Sequence, residues 1–113
     1  VLIGSAENAV CERFYRSGLA TCASMKDATL LLPFAALGLA APTRPVFDVL
    51  SIPPVYRGIP IPVLRMAASV RSHGIPMQIW TVNDPATAAR YWDGGVTGIV
   101  TDDPAAILRA RQR

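Results

Sequence analysis

A chain of 113 residues, 51% of them hydrophobic, is long enough for one core and too apolar to be disordered. Its 11 Lys+Arg against 8 Asp+Glu leave a net charge of only +3, and the basic side chains are scattered except at Arg109, Arg111 and Arg113, so no stripe suits a nucleic-acid backbone. Two cysteines, Cys11 and Cys22, make neither a disulfide framework nor a metal knuckle and are expected as reduced, buried thiols.

The chain opens at Val1 rather than Met, inside an apolar run, as a fragment or a coding sequence cut at its 5′ side would. No signal peptide is recognisable there. Five apolar runs read as strands: residues 1–4, 19–23, 46–52, 77–82 and 96–100. Each leads through turn or capping residues into a helical segment, which argues for a parallel sheet covered by helices. The longest apolar stretch, 28–42, is broken by Pro33 and Gly38 and falls short of the roughly 20 residues that a membrane span needs. A soluble domain is the default.

Helix boundaries carry their own chemistry. Ser24-Met25-Lys26-Asp27 fits a capping box, in which hydroxyl and carboxylate meet free backbone N–H groups. Asp84-Pro85 and Asp103-Pro104 each set an acceptor before a Pro at the first helical position, where its missing N–H costs nothing. His73-Gly74 and Gly94-Gly95 mark helix ends. The segments 79–85 and 99–104 repeat one order: apolar strand, polar edge, Asp-Pro, helix. Between residues 53 and 62 stand Pro53, Pro54, Pro60 and Pro62, so 53–61 reads as a long loop without regular structure. If the sheet closes as a parallel barrel, its site lies at the strand C-terminal ends, among Ser5–Asn8, Ser24, the 53–61 loop, Asn83 and 101–103. Gly18, Arg44, Pro45, His73, Gly74, Gly94 and Gly95 then lie on the opposite face.

Gly74-Ile75-Pro76-Met77-Gln78-Ile79-Trp80-Thr81-Val82-Asn83-Asp84-Pro85 resembles the penultimate strand signature of the glycerophosphodiester phosphodiesterases. Gly95-Val96-Thr97-Gly98-Ile99-Val100-Thr101-Asp102-Asp103-Pro104 resembles that family's last strand. More loosely, Val1-Leu2-Ile3-Gly4-Ser5, Leu19–Ser24 and Phe47–Pro53 with Arg57-Gly58 look like strands four, five and six; Ala6 stands where a Phe is usual. The resemblance implies an α/β fold: residues 1–113 as the C-terminal portion, about strands four to eight, of a (β/α)8 TIM barrel of about 250 residues. It implies metal-assisted hydrolysis of glycerophosphodiesters to glycerol phosphate and an alcohol, in lipid metabolism. Ca²⁺ or Mg²⁺ is expected for the full domain. The family's His-Arg-Gly, Glu-x-Asp, His-Asp and Glu-x-Lys motifs are absent from this sequence, so the chain alone is expected to bind no metal and to be inactive.

Individual residues keep alternatives. Trp80, two residues before the end of its run, either walls the barrel mouth beside the glycerol moiety or packs in the core. Asn83 hydrogen-bonds substrate or begins a turn, with the turn as default. Arg57 meets a phosphate oxygen or is a solvated loop arginine. Asp103 reads as a helix cap and Asp102 as a second acidic group at the rim. His73, before a helix-ending Gly, suits the helix dipole rather than catalysis. Trp92 reads as outer packing, and Ser5 and Ser24 have no base to activate them. Two further readings stand beside the enzyme. One is a non-catalytic partial-barrel module that self-associates through open edges. The other is a different enzyme on a small open sheet, for which the sequence offers neither a phosphate loop nor a nucleophile elbow. Headgroup and compartment stay open.

Overall fold

Among the described residues, helices separate the parallel strands, and those strands pair in the order in which they occur. The computed structural model describes residues 2–5, 7–15, 17–40, 42 and 45–111. In chain order the elements are β1 (Leu2–Ile3), α1 (Asn8–Phe14), β2 (Ala20–Thr21), α2 (Met25–Leu30), α3 (Leu32–Ala36) and β3 (Leu50–Ile52). There follow β4 (Val55–Tyr56), β5 (Ile59–Pro60), α4 (Val63–Arg71), β6 (Met77–Trp80), α5 (Pro85–Asp93), β7 (Gly98–Val100) and α6 (Pro104–Arg111).

β1 pairs with β2, β3 with β6, and β6 with β7, all parallel. Between β2 and β3 the ladder is carried by a single parallel bridge, Cys22 to Val49, with the Ala23 N–H donating to the Val49 carbonyl at 2.9 Å. The Asp48 carboxylate takes the Thr21 N–H at 2.9 Å, so a side chain completes what the backbone leaves open. The wall therefore runs β1-β2-β3-β6-β7, each crossover advancing in one direction. A doubly wound sheet reverses order at a switch point; a barrel wall does not. The chain is a mixed α/β structure with parallel strands, and its wall matches part of a barrel.

Strand alternation divides the side chains between two faces. Leu50 and Ile52 of β3, and Met77 and Ile79 of β6, are buried under the helices with Val63, Met66, Val70, Ala88 and Ile107. Ser51, Gln78 and Trp80 point to the other face, where the sheet curves around an open cavity. Apolar residues on both strand faces would have hidden this division; here Gln78 between Met77 and Ile79 marks it.

The runs read as strands are shorter in the structure, because only part of each is paired. Leu19 and Val46 are exposed, and Val82 leaves β6 but keeps its N–H on the Val100 carbonyl at 2.9 Å. Val1 lies outside the described residues, as does Arg44. The larger correction concerns 53–61, which is not structureless. β4 and β5 form an antiparallel hairpin with Val55 opposite Pro60 and Tyr56 opposite Ile59. Its two-residue turn places Arg57 at φ 50° and Gly58 at φ 78°, the positive angles that the favoured hairpin turn requires. Pro60 is tolerated because its pair lies between hydrogen-bonded rungs, and the next rung is intact, Ile61 N–H to Pro54 carbonyl at 2.8 Å.

The expected caps form. Asp84 accepts from the Thr87 N–H and Asp103 from the Ala106 N–H, each across the first turn of its helix. Gly95, just past α5, sits at φ 101°, a backbone angle that other residues adopt only with strain, and a Cβ there would also displace the Arg71 guanidinium. Burial makes the core testable. Ile79→Ala removes a fully buried side chain from the middle of the sheet and is expected to cost about 3 kcal/mol in urea unfolding. Val100→Ala, at a position 44% exposed, should cost less than about 0.5 kcal/mol.

Candidate functional site

The open face of the wall carries the candidate site. Its cavity, about 470 Å³, is lined by Leu2 of β1, Gly4 and Ser5 just after it, Cys22, Ala23 and Met25 after β2, Ser51 of β3, Tyr56 of the hairpin, and Gln78 and Trp80 of β6. None of these side chains is charged at neutral pH. Trp80 is 41% exposed and stands level with Val100 of β7, its register partner. Of the two positions open to Trp80, the structure places it on the cavity side. The same strand parity gives Gln78 to the cavity, where its Nε2 donates to Ser51 Oγ at 3.0 Å.

The hairpin stands beside the strand C-terminal ends. Tyr56 lines the cavity and also a smaller apolar cleft against Met25, Leu32, Ile61 and Met66. Arg57, exposed at the hairpin tip, holds its guanidinium 5.3 Å from the centre of the Tyr56 ring. The stacking limits where a flexible side chain can reach, and it ties the Arg57 cation to a ring that lines the cavity.

Asn83 does more than start a turn. Its Oδ1 accepts from the Thr101 hydroxyl and from the Asp102 N–H, both at 2.9 Å, and its Nδ2 donates to the Asp102 carboxylate at 2.9 Å. One amide therefore ties the loop after β6 to the loop after β7. Those partners also orient the amide, since exchanging its O and N would set N–H against N–H. Asp103 is absorbed by its cap, with its own N–H on Thr101 Oγ1 at 3.1 Å. The two adjacent aspartates thus face different tasks.

Ser24 is fully buried, and its capping box has an unexpected third member. Its Oγ accepts from the Asp27 N–H at 3.1 Å and donates to the Asp27 carboxylate at 3.0 Å. The Ser24 N–H goes instead to the Tyr15 hydroxyl at 2.9 Å, and that hydroxyl donates to Asp27 at 2.8 Å. Burial, more than the neighbouring Asp27, pushes the Tyr15 phenol up to about 12. Cys11 and Cys22 are both free and buried; burial raises the Cys22 thiol, and Cys11 adds to the effect. A raised thiol is a poor nucleophile.

His73 lies two residues after α4, at the end of the wall away from Trp80. Trp92 packs against the core, with Arg111 stacked 5.5 Å from its ring. Among the described residues, no three of His, Cys, Asp or Glu are grouped so as to hold a metal ion. No helix among them is long and apolar enough to cross a membrane. Sequence reasoning overlooked Tyr56, Ser51 and Gln78. Tyr56 was signalled by Arg57-Gly58, a two-residue turn between apolar residues, and Gln78 by its polar place in an alternating strand.

Comparison with known proteins comes to the same arrangement from outside. The model of the glycerophosphoryl diester phosphodiesterase family matches residues 14–106. Among curated proteins none matches. One similar solved structure is a crystal structure from Silicibacter pomeroyi of a protein named as a glycerophosphoryl diester phosphodiesterase. It aligns at a TM-score of 0.63 and 20% identity over 96% of this chain, which shows a shared fold. This chain spans 37% of the length of that one.

The Tyr15 network predicts a pH dependence. A phenol whose folded pKa is about 12, against an ordinary 10.0, adds stability that is full below 10 and lost as pH rises towards 12. The free energy of unfolding measured across that window should fall more steeply for the natural chain than for Tyr15→Phe. Parallel curves would show that Tyr15 is no more perturbed folded than unfolded.

Proposed function

The chain belongs to the glycerophosphoryl diester phosphodiesterase family, and on that premise we propose that residues 1–113 form the C-terminal part, about strands four to eight, of one such (β/α)8 domain. The observation that carries this reading is the pairing of β6 with β7. The two strands that resemble the family's last two lie side by side, parallel, with Trp80 opposite Val100. The complete domain hydrolyses a glycerophosphodiester to glycerol phosphate and an alcohol, a reaction of lipid metabolism.

Members of the family work with a divalent cation, Ca²⁺ or Mg²⁺ on this reading. The described residues of this chain offer no ligand set for it, so no step of the chemistry is assigned to them. What they contribute is binding and orientation. Trp80 gives a flat apolar wall to the substrate's carbon backbone at the cavity mouth. Arg57, held over Tyr56 at the tip of the hairpin, offers N–H donors and positive charge to a phosphate oxygen. Asn83 presents its amide at the rim; an NH2 group has two donors, one of them committed to Asp102. General acid, general base and metal carboxylates come from motifs outside this sequence, so the 113-residue chain alone is inactive.

A second reading is a non-catalytic module that assembles through its edges. Among the described residues β1 and β7 each pair on one side only, and Leu2 and Val100 are exposed. One preparation separates the two. The purified chain, assayed with glycerophosphocholine and either Ca²⁺ or Mg²⁺, is expected to give no turnover above background. Measurable hydrolysis would refute the division of labour proposed above, and a discrete dimer in size-exclusion chromatography would favour the module.

A further inference from the structure

Deep in the cavity, two side chains from neighbouring strands face each other with hydrogen-bonding capacity left over. Ser51 of β3 and Gln78 of β6 are register partners, and the Gln78 Nε2 to Ser51 Oγ bond at 3.0 Å fixes the glutamine amide across the sheet. A hydroxyl carries one donor and two acceptor sites, and a primary amide carries two donors and a carbonyl oxygen. After the mutual bond, the Ser51 O–H donor and the Gln78 Oε1 acceptor are left over on two residues that line the cavity. Both residues are half-buried, so the pair is positioned by the sheet yet reachable.

Gly98 leaves this pair uncovered. It is the register partner of Gln78 on β7, and a Cβ there would come within 3.1 Å of Gln78 Cβ and 3.8 Å of Oε1. A side chain at that position would press on the Gln78 stem at Cβ, while the amide oxygen would stay at ordinary contact distance. The rest of the cavity wall is uncharged, with Trp80 two residues along the same strand. A phosphate or an ammonium group finds no counter-charge among these residues. A neutral polyol does better: each of its hydroxyls both donates and accepts, and its C–H groups suit an indole face.

We propose that Ser51 and Gln78 form a hydroxyl-reading subsite that binds the vicinal diol at the glycerol end of the substrate. The proposal rests on the phosphodiesterase reading for its choice of polyol, and it adds specificity residues to that reading. Discrimination comes from cost rather than attraction. A ligand that lacks the diol but enters the cavity strips water from both groups and returns no hydrogen bond.

The test is a titration of the isotope-labelled 113-residue chain, followed by NMR, with two phosphate monoesters of equal charge and carbon number. Glycerol 3-phosphate carries the diol; propyl phosphate does not. Glycerol 3-phosphate is expected to shift the Gln78 side-chain amide and the Trp80 indole N–H at roughly tenfold lower concentration than propyl phosphate. Gln78→Leu and Ser51→Ala, each checked for the amide dispersion of the natural chain, should bring the two esters to near parity. Equal affinity for both esters, binding of neither, or undiminished preference in both variants would overturn the subsite. Because the readout is binding, a failure of the complete barrel to hydrolyse its diester would count against the function proposed above and not against this pair.

Discussion

The placement of β6 between β3 and β7 is the constraint on which the rest of the molecule depends. Gln78 and Ile79 have register partners on both sides, Met77 on β3 and Trp80 on β7, and the alternation of these four divides the molecule into a dry side and a wet one. Met77 and Ile79 have nowhere to go but under the helices, where both are almost wholly buried. Gln78 and Trp80 are thereby committed to the cavity. A slip of one residue would exchange the two pairs, burying an amide and exposing two core residues. That penalty is what holds Trp80 at the mouth.

Everything attributed to the candidate site follows from this registration. The wall presents neutral hydrogen-bonding groups and an indole; the hairpin adds one cation at the rim; the Asn83 amide holds two adjacent loops together. On the proposed reading this is a surface for recognition. Its lining side chains are uncharged at neutral pH, and burial raises the Cys22 thiol. A barrel draws its reactive groups from the ends of several strands, so recognition on one part of the wall and chemistry on another is an ordinary division.

The sequence made some features legible and hid others, for reasons that are physical. Helix caps were readable because Asp84 and Asp103 bond within three residues of themselves. The parallel pairing of the strands was readable from the alternation of apolar runs with capped helices; their one-way order was implied only by the family resemblance. The hairpin was not, because Pro60 was weighed as a breaker without regard to its register. A proline opposite a non-hydrogen-bonded partner loses nothing. The role of Asn83 was also hidden, since its three bonds go to residues 18 and 19 positions away, on the neighbouring strand's loop. Tyr15 is similar: its hydroxyl supplies the second half of a capping box whose sequence signature names only Ser24 and Asp27. The orientation of Trp80 lay in between. The polar Gln78, two positions before it, already indicated the cavity face, but only once the segment was known to be a strand.

The most direct test of the account is the pattern of interstrand nuclear Overhauser effects around β6 in the labelled chain. Contacts from Gln78 to Ser51 on one side and to Gly98 on the other, spaced as in parallel strands, are the predicted result. Close α-proton pairs of the antiparallel kind, or a β6 with a neighbour on one side only, would contradict it.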